Sequence, residues 1–262
     1  MNGRINFHTH SIFSFDSNTP IENMVREYLK YRYTAIGFSE HNDFDPSLDE
    51  YMYLDIEKYF ATIENLKKKY PIELYKGVEI DFQERFKTEI YNYINSYSFD
   101  YIIGSVHYID SRAIDLPNFK EFFYNLNEED RRKIIKKYIS ENIKMLDTIL
   151  IDIIGHIDLI KLYVNFNLDD FIYDYEALLK KVIEKEVILE VNISAIRKGK
   201  NEPYPSYKLL NLYRELGGEL ITVSEDSHKV SDIFIHREEV EKKLRYLGFK
   251  KVFFPDKREV IL

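Results

Sequence analysis

Tyr101-Ile102-Ile103-Gly104-Ser105-Val106-His107 is an apolar run that ends on a histidine. It lacks the alternation of a strand with one wet face, so it fits a strand buried on both sides in a parallel sheet. The same form recurs along the 262 residues. Strand candidates at 4–7, 35–38, 72–78, 101–106, 152–155, 187–191 and 219–223 are separated by helical patterns at 20–31, 54–70, 88–97, 128–150, 170–185 and 206–216. A last helix is expected at 237–247. Seven strand–helix units without a linker predict a single α/β domain, a distorted seven-stranded TIM-like barrel, spanning 1–262. Thr19-Pro20-Ile21-Glu22 reads as a capping box, and Gly217-Gly218 and Gly248 as helix stops. The segments 251–254 and 259–262 are expected to pair and cover an edge or the barrel bottom. Long connections at 109–127 and 194–205 fall on the face where barrel enzymes carry their sites.

Composition narrows the function. There is no cysteine, so a thiolate nucleophile, a disulfide or a Cys-based zinc site is out of reach. The net charge of −8 argues against broad nucleic-acid binding, while leaving room for a small anionic substrate. No apolar run is long enough to span a membrane, and residues 1–10 lack a signal-peptide core, so a cytoplasmic location is expected.

Six of the seven histidines close predicted strands: His8, His10, His41, His107, His156 and His228. His8-Thr9-His10 places two imidazoles on one side of a strand. Asp16 follows in the next loop, Glu79 closes the third strand and Asp226 precedes His228. Singly, a histidine after a strand is more often a hydrogen-bonded structural residue, and Asp16, Glu79 or Asp226 would pass as caps. Together they bring carboxylates and imidazoles to one barrel mouth, where cations relieve the repulsion. Nine such donors exceed the needs of one ion. They predict two or three divalent ions, with Zn, Mn or Fe suited to mixed nitrogen and oxygen ligands. Paired ions of this kind are a standard apparatus for phosphate-ester hydrolysis.

The order H-x-H, Asp, E-H, G-x-E, S-V-H, G-H-x-D and D-x-H resembles the polymerase and histidinol phosphatase (PHP) superfamily over essentially the whole chain. The segments Gly37–His41 and Gly104–Asp110, together with Glu190–Gly199 and Asn201–Pro205, are similar to those of stand-alone histidinol-phosphate phosphatases. The resemblance implies a seven-stranded barrel with a trinuclear site, and hydrolysis of L-histidinol phosphate in histidine biosynthesis. It implies that His8, His10, Glu79 and Asp226 hold one ion. Glu79 would bridge to a second at His107 and His156, and Asp16, His41 and His228 would hold a third. Asp16, His41, Glu79, Asp226 and His228 are then the catalytic set, with a metal-bridging hydroxide attacking phosphorus. Arg197 is the expected phosphate clamp and Lys161 a second basic candidate, although either is as readily a solvent-facing base by position alone. Asp110, Asp115 and Glu121 are acids available to the substrate's ammonium. Glu225 stands where the family pattern has a serine, and is expected to tighten or crowd the mouth. His236 is read as a surface or capping residue. Rival readings are a PHP-type phosphoesterase for nucleotides or phosphotyrosine, and a non-catalytic metal-binding module.

Overall fold

A computed structural model describes residues 3–48 and 50–262. Met1 and Asn2, part of the segment read for a leader, lie outside the described residues. The apolar runs form one parallel sheet of seven strands: β1 (Arg4–Asn6), β2 (Tyr33–Asn42), β3 (Glu73–Asp81), β4 (Tyr101–Ser105), β5 (Ile153–Ile154), β6 (Ile188–Asn192) and β7 (Ile221–Ser224). They pair in chain order, with Glu79 opposite Ile103 and Gly104 opposite Ile154. Just beyond β1 and β7, Thr9 bridges Ser227 in parallel, and the His10 N–H donates to the Ser227 carbonyl at 2.9 Å. That contact brings the first and last strands together, so the sheet is a nearly closed barrel.

Helices wrap the sheet because each carries one apolar stripe. The sequence α1 (Ile21–Lys30), α2 (Ile56–Lys67) and α3 (Lys87–Ser96) matches the expected helices within three residues at each end. After β4 come two helices, α4 (Pro117–Asn125) and α5 (Glu128–Thr148). The connection 109–127 is therefore not open loop. It holds a hairpin, Tyr108–Ile109 against Arg112–Ala113, and then α4, whose Phe119 and Phe123 are buried. The Asn127 side chain caps α5 by accepting from Asp130 N–H, and Glu128, Glu129 and Asp130 suit its positive end. Then follow α6 (Ile172–Glu184), the single turn α7 (Ser194–Arg197), α8 (Tyr207–Glu215) and α9 (Arg237–Tyr246). Gly217 and Gly248 end α8 and α9 at φ +91°, a region that suits glycine.

The start of α1 corrects one expectation. Pro20 occupies the cap and no side chain caps the helix. Thr19 Oγ1 instead donates to the His228 carbonyl at 3.1 Å, and Glu22 pairs with Arg26 and Lys69. A second hydroxyl, Ser17 Oγ, reaches the same carbonyl at 2.6 Å. The side chain that would have capped a helix ties the β1 loop to the β7 loop.

The barrel bottom is filled by aromatic rings. Tyr101 crosses the interior and its hydroxyl donates to the Phe7 carbonyl at 2.8 Å. A Cβ at Gly37 or Gly77 would run into the Tyr101 ring, so those glycines admit it. The C-terminal strands Lys251–Phe253 and Glu259–Ile261 pair antiparallel, and Phe254 packs edge-on against Phe7 at 5.4 Å. The expected cover of the barrel bottom is present.

Candidate metal centre

The histidines sit where the strands end because a parallel barrel brings all its strand C-termini to one face. Glu79, at the inner end of β3 and 1% exposed, is the hub. Its Oε2 lies 3.1 Å from His8 Nε2, 3.2 Å from His41 Nδ1 and 3.5 Å from His10 Nε2. Its Oε1 lies 3.1 Å from His156 Nε2 and 3.7 Å from His107 Nε2. Asp226 Oδ1 stands 3.4 Å from His10 Nε2 and 3.7 Å from His8 Nε2. Asp16 Oδ2 stands 2.8 Å from His228 Nε2 and 3.6 Å from His41 Nε2.

Three donor groups follow from these distances: His8, His10 and Asp226; Glu79, His107 and His156; and His10, Asp16, His41 and His228. All nine residues singled out as ligands are brought together. The grouping differs from the implied one at two residues: His10 lies within reach of two groups, and Glu79 groups with His107 and His156 alone, although its Oε2 lies within 3.5 Å of His8 and His10. The donor set fits divalent cations. His10 Nε2 is buried with no hydrogen-bond partner although two carboxylates flank it, and the rings of His41 and His228 each stack against its ring at 4.2 Å. A nitrogen lone pair in that setting is satisfied by a cation.

The charges respond to this crowding. Burial opposes ionisation of Glu79, yet His8 and His41 hold its carboxyl well below the usual range. Burial likewise opposes Asp16 and Asp226, and neighbouring imidazoles pull both down. Burial works against a charged His41, but Glu79 and Asp16 carry it up to about 10. His107 rises to about 9 because Asp81 and Glu79 outweigh its burial. Burial and the cationic His41 and His228 push His10 down to about 3.

Other carboxylates brace the ligands from behind. Glu190 meets His8 Nδ1 at 2.5 Å, and Asp81 lies 3.5 Å from His107 Nδ1. Glu40 accepts from Ser11 N–H at 2.9 Å and from the Ser14 hydroxyl at 2.6 Å, which shapes the loop carrying Asp16. None of the three was singled out as a site residue from sequence. Glu190 carried a signal, a charge between apolar neighbours where burial demands a partner, whereas Glu40 and Asp81 stand in strands with other polar residues and carried none.

The cleft over the centre is narrow, about 40 Å³, and is lined by Asp16, His41, Glu79, His107, Asp115 and Lys198 among others. Arg197 does not line it. Its Nη2 donates to the Asp226 carbonyl at 2.9 Å and its Nη1 is buried without a partner. Lys161 lies farther out, with its ammonium 2.8 Å from Asp158 and 2.6 Å from the Pro203 carbonyl. It lines a neighbouring cavity of about 550 Å³ with Asn165, Lys200 and Glu202, where no metal-ligating group was found among the described residues.

Glu225 corrects another expectation. It does not crowd the mouth but is fully buried behind the barrel wall. Tyr33 Oη donates to it, and its own N–H donates to Asn6 Oδ1 at 2.9 Å. Arg237, 1% exposed, lies 3.9 Å away and donates to the carbonyls of Val223 at 2.9 Å and Ile5 at 3.0 Å. His236 is 39% exposed beside Glu239, a surface residue as expected.

Comparison with known proteins agrees with this geometry. The chain is 28% identical to a probable histidinol-phosphatase of Clostridium acetobutylicum, covering 94% of this chain and 95% of that protein. It is 28% identical to the histidinol-phosphatase of Lactococcus lactis, covering 95% and 93%. The crystal structure of the Lactococcus lactis histidinol phosphate phosphatase, complexed with zinc, L-histidinol and phosphate, superposes with a TM-score of 0.81 at 25% identity, over 97% of this chain and 98% of that one. A putative histidinol phosphatase from Listeria monocytogenes shares the fold, with a TM-score of 0.78 at 19% identity over 90% and 99%. A model of the PHP domain matches residues 6–194, and the chain belongs to the PHP domain family.

Proposed function

We propose that this protein is a histidinol phosphatase, a phosphoric monoester hydrolase that converts L-histidinol phosphate to L-histidinol and phosphate. The observation that carries the reading is the convergence of three imidazole–carboxylate groups around Glu79, in a chain that aligns with histidinol-phosphatases over 94–95% of its length. His8, His10 and Asp226 would hold one divalent cation, Glu79, His107 and His156 a second, and Asp16, His41 and His228 with His10 a third. Zinc, manganese and iron suit the donor set. Cations bound there supply Lewis acidity, an acidified water and neutralisation of phosphoryl charge.

The chain's own residues supply the rest. A cleft of about 40 Å³ is far below the 300–1,000 Å³ of sites that swallow a whole ligand. Only the phosphoryl end enters, and the leaving group lies across the mouth. Lys198 lines the cleft and meets the phosphoryl oxygens, while Arg197, behind Asp226 with its Nη2 on the Asp226 carbonyl, holds the loop that presents Lys198. Lys161, across the Tyr204 ring from His156, adds positive charge at longer range. Asp115 on the rim is placed to accept the ammonium of the leaving group, and Phe15, 42% exposed and 5.3 Å from His41, offers a face to its imidazole.

The test is phosphate release from L-histidinol phosphate against nucleotides and phosphotyrosine, with Zn and Mn supplied separately. A preference of a hundredfold or more in kcat/KM, about 2.7 kcal/mol, is expected. Equal or better turnover of another ester sinks the substrate assignment and leaves a PHP-type phosphoesterase. The Glu79→Gln variant is expected to lose at least a thousandfold in kcat/KM, about 4 kcal/mol. Unchanged turnover in that variant would sink the placement of the chemistry at this centre.

A further inference from the structure

We propose that Glu190 is the positioning carboxylate of the metal centre: it fixes His8 in the tautomer that presents Nε2 to the cation, and seats His156 with its other oxygen. The inference rests on the metal-binding reading of the site.

Glu190 lies in β6, 0% exposed, and belongs to none of the three donor groups. Its Oε1 meets His8 Nδ1 at 2.5 Å and accepts from Ser224 Oγ. Its Oε2 accepts from the His156 backbone N–H at 2.8 Å and from Asn192 Nδ2 at 3.2 Å. A carboxylate has about four acceptor directions, and four donors take them. Nothing is left over to ligate a cation, so the residue acts through others. One side chain thereby touches residues just beyond β1 and β5, the last residue of β7 and its own strand.

The contact on His8 has a defined chemical result. A carboxylate only accepts, so His8 Nδ1 carries a proton towards Glu190, and when a cation takes the place of the proton between Nε2 and Glu79 it is Nε2 that offers its lone pair. His8 Nε2 then faces Glu79 Oε2 at 3.1 Å and Asp226 Oδ1 at 3.7 Å, the oxygens with which it would share an ion. Other ring anchors are weaker: His10 Nδ1 has the Ser14 hydroxyl at 3.1 Å, and His107 Nδ1 has Asp81 at 3.5 Å. A hydroxyl both donates and accepts, so it does not dictate the tautomer as Glu190 does. Replacing Glu190 by Gln keeps its size but allows an amide N–H to point at His8 Nδ1. The proton then moves to Nε2, and the ligand is lost while the shape of the core is kept. Outer carboxylates of this kind typically set metal affinity within 10–100-fold.

The test uses the full chain loaded with zinc. Zinc is titrated away with a chromophoric chelator, bound zinc is counted by elemental analysis, and the His8 tautomer is read from ring-nitrogen shifts in ¹⁵N-histidine-labelled protein. In Glu190→Gln one zinc equivalent is expected to leave roughly 10–100-fold more readily. His8 is expected to show Nε2–H, with the other equivalents and the near-ultraviolet dichroism as in the parent. Retention of all zinc at parent affinity, or a His8 that keeps its Nδ1 proton, overturns the proposal. Loss of every equivalent together with the dichroism also overturns it, since Glu190 would then be a residue of the fold. Should Glu190→Gln not fold, Ser224→Ala decides: it keeps the charge but removes one donor, and an unchanged zinc affinity in it counts against the proposal. A parent protein that takes up no zinc at all fails on different grounds, because the metal reading itself is then wrong.

Discussion

Glu79 faces five imidazoles within 3.7 Å, and that crowding has a measurable proton cost. His41 near 10 and His107 near 9 are protonated at neutral pH until a cation displaces the proton. Burial opposes a charged His8, but Glu190, Glu79 and Asp226 hold it well above the usual value too, so zinc uptake at pH 7 is expected to release about three protons, one from His8 besides those of the His41–His107 pair. Calorimetry in buffers of different ionisation enthalpy reads that number, and a heat independent of buffer would contradict it. The sign for stability follows. In chelator-treated protein both histidines of that pair have folded pKa values above the unfolded value of about 6.5. Their contribution is fully present below about pH 6.5 and is lost as pH rises through 9 to 10. His10, near 3, acts oppositely, and its contribution fades as pH falls from about 6.5 towards 3. The nine candidate ligands were legible in the sequence because six histidines and three acids recur at or just after strand ends, a pattern that no single position carries. Lys198 was not, since adjacent bases on a loop look alike until the backbone turns one inward and the other back against Asp226.

At the scale of elements, the barrel seam depends on α9. Arg237 donates to a carbonyl of β1 and a carbonyl of β7, with Glu225 and Glu241 as its counter-charges. Removing one partner of such a buried set strands the other, at a cost of about 3–5 kcal/mol. Arg237→Met is expected to lose that much stability in urea unfolding. A loss below about 1 kcal/mol would mean that the seam does not depend on it. Sequence reading placed these strands and helices because apolar runs and stripes are local signals. It missed α4, whose Pro117 start and buried Phe119 and Phe123 are short signals inside a polar segment. It also misjudged Thr19 and Glu225. A hydroxyl before a proline is equally good as a cap or as a donor to a distant carbonyl, and a carboxylate next to a ligand faces the mouth or the wall according to an arginine that lies 12 residues later.

For the whole molecule, the metal centre and the fold are one equilibrium. A ligand held at 1,000 times its Kd adds about 4 kcal/mol to stability. At roughly 2–4 °C per kcal/mol for a chain of this size, full chelation is expected to lower Tm by about 10 °C. An unchanged Tm, with zinc shown to be bound beforehand, would separate the centre from the fold. Among the described residues no helix is long and apolar enough to cross a membrane. The junction of Thr9 with Ser227 has a further consequence, in time rather than in space. Two donor groups draw on both sides of that junction, His8 and His10 with Asp226 in one, and His10, Asp16 and His41 with His228 in the other. Glu79, His107 and His156 are all made earlier than Asp226. During synthesis that middle group is complete while the ribosome is still adding the last third of the chain. The other two wait until Asp226 and His228 have left the exit tunnel, so a stalled product ending near residue 200 carries one finished donor set and two that each lack one member.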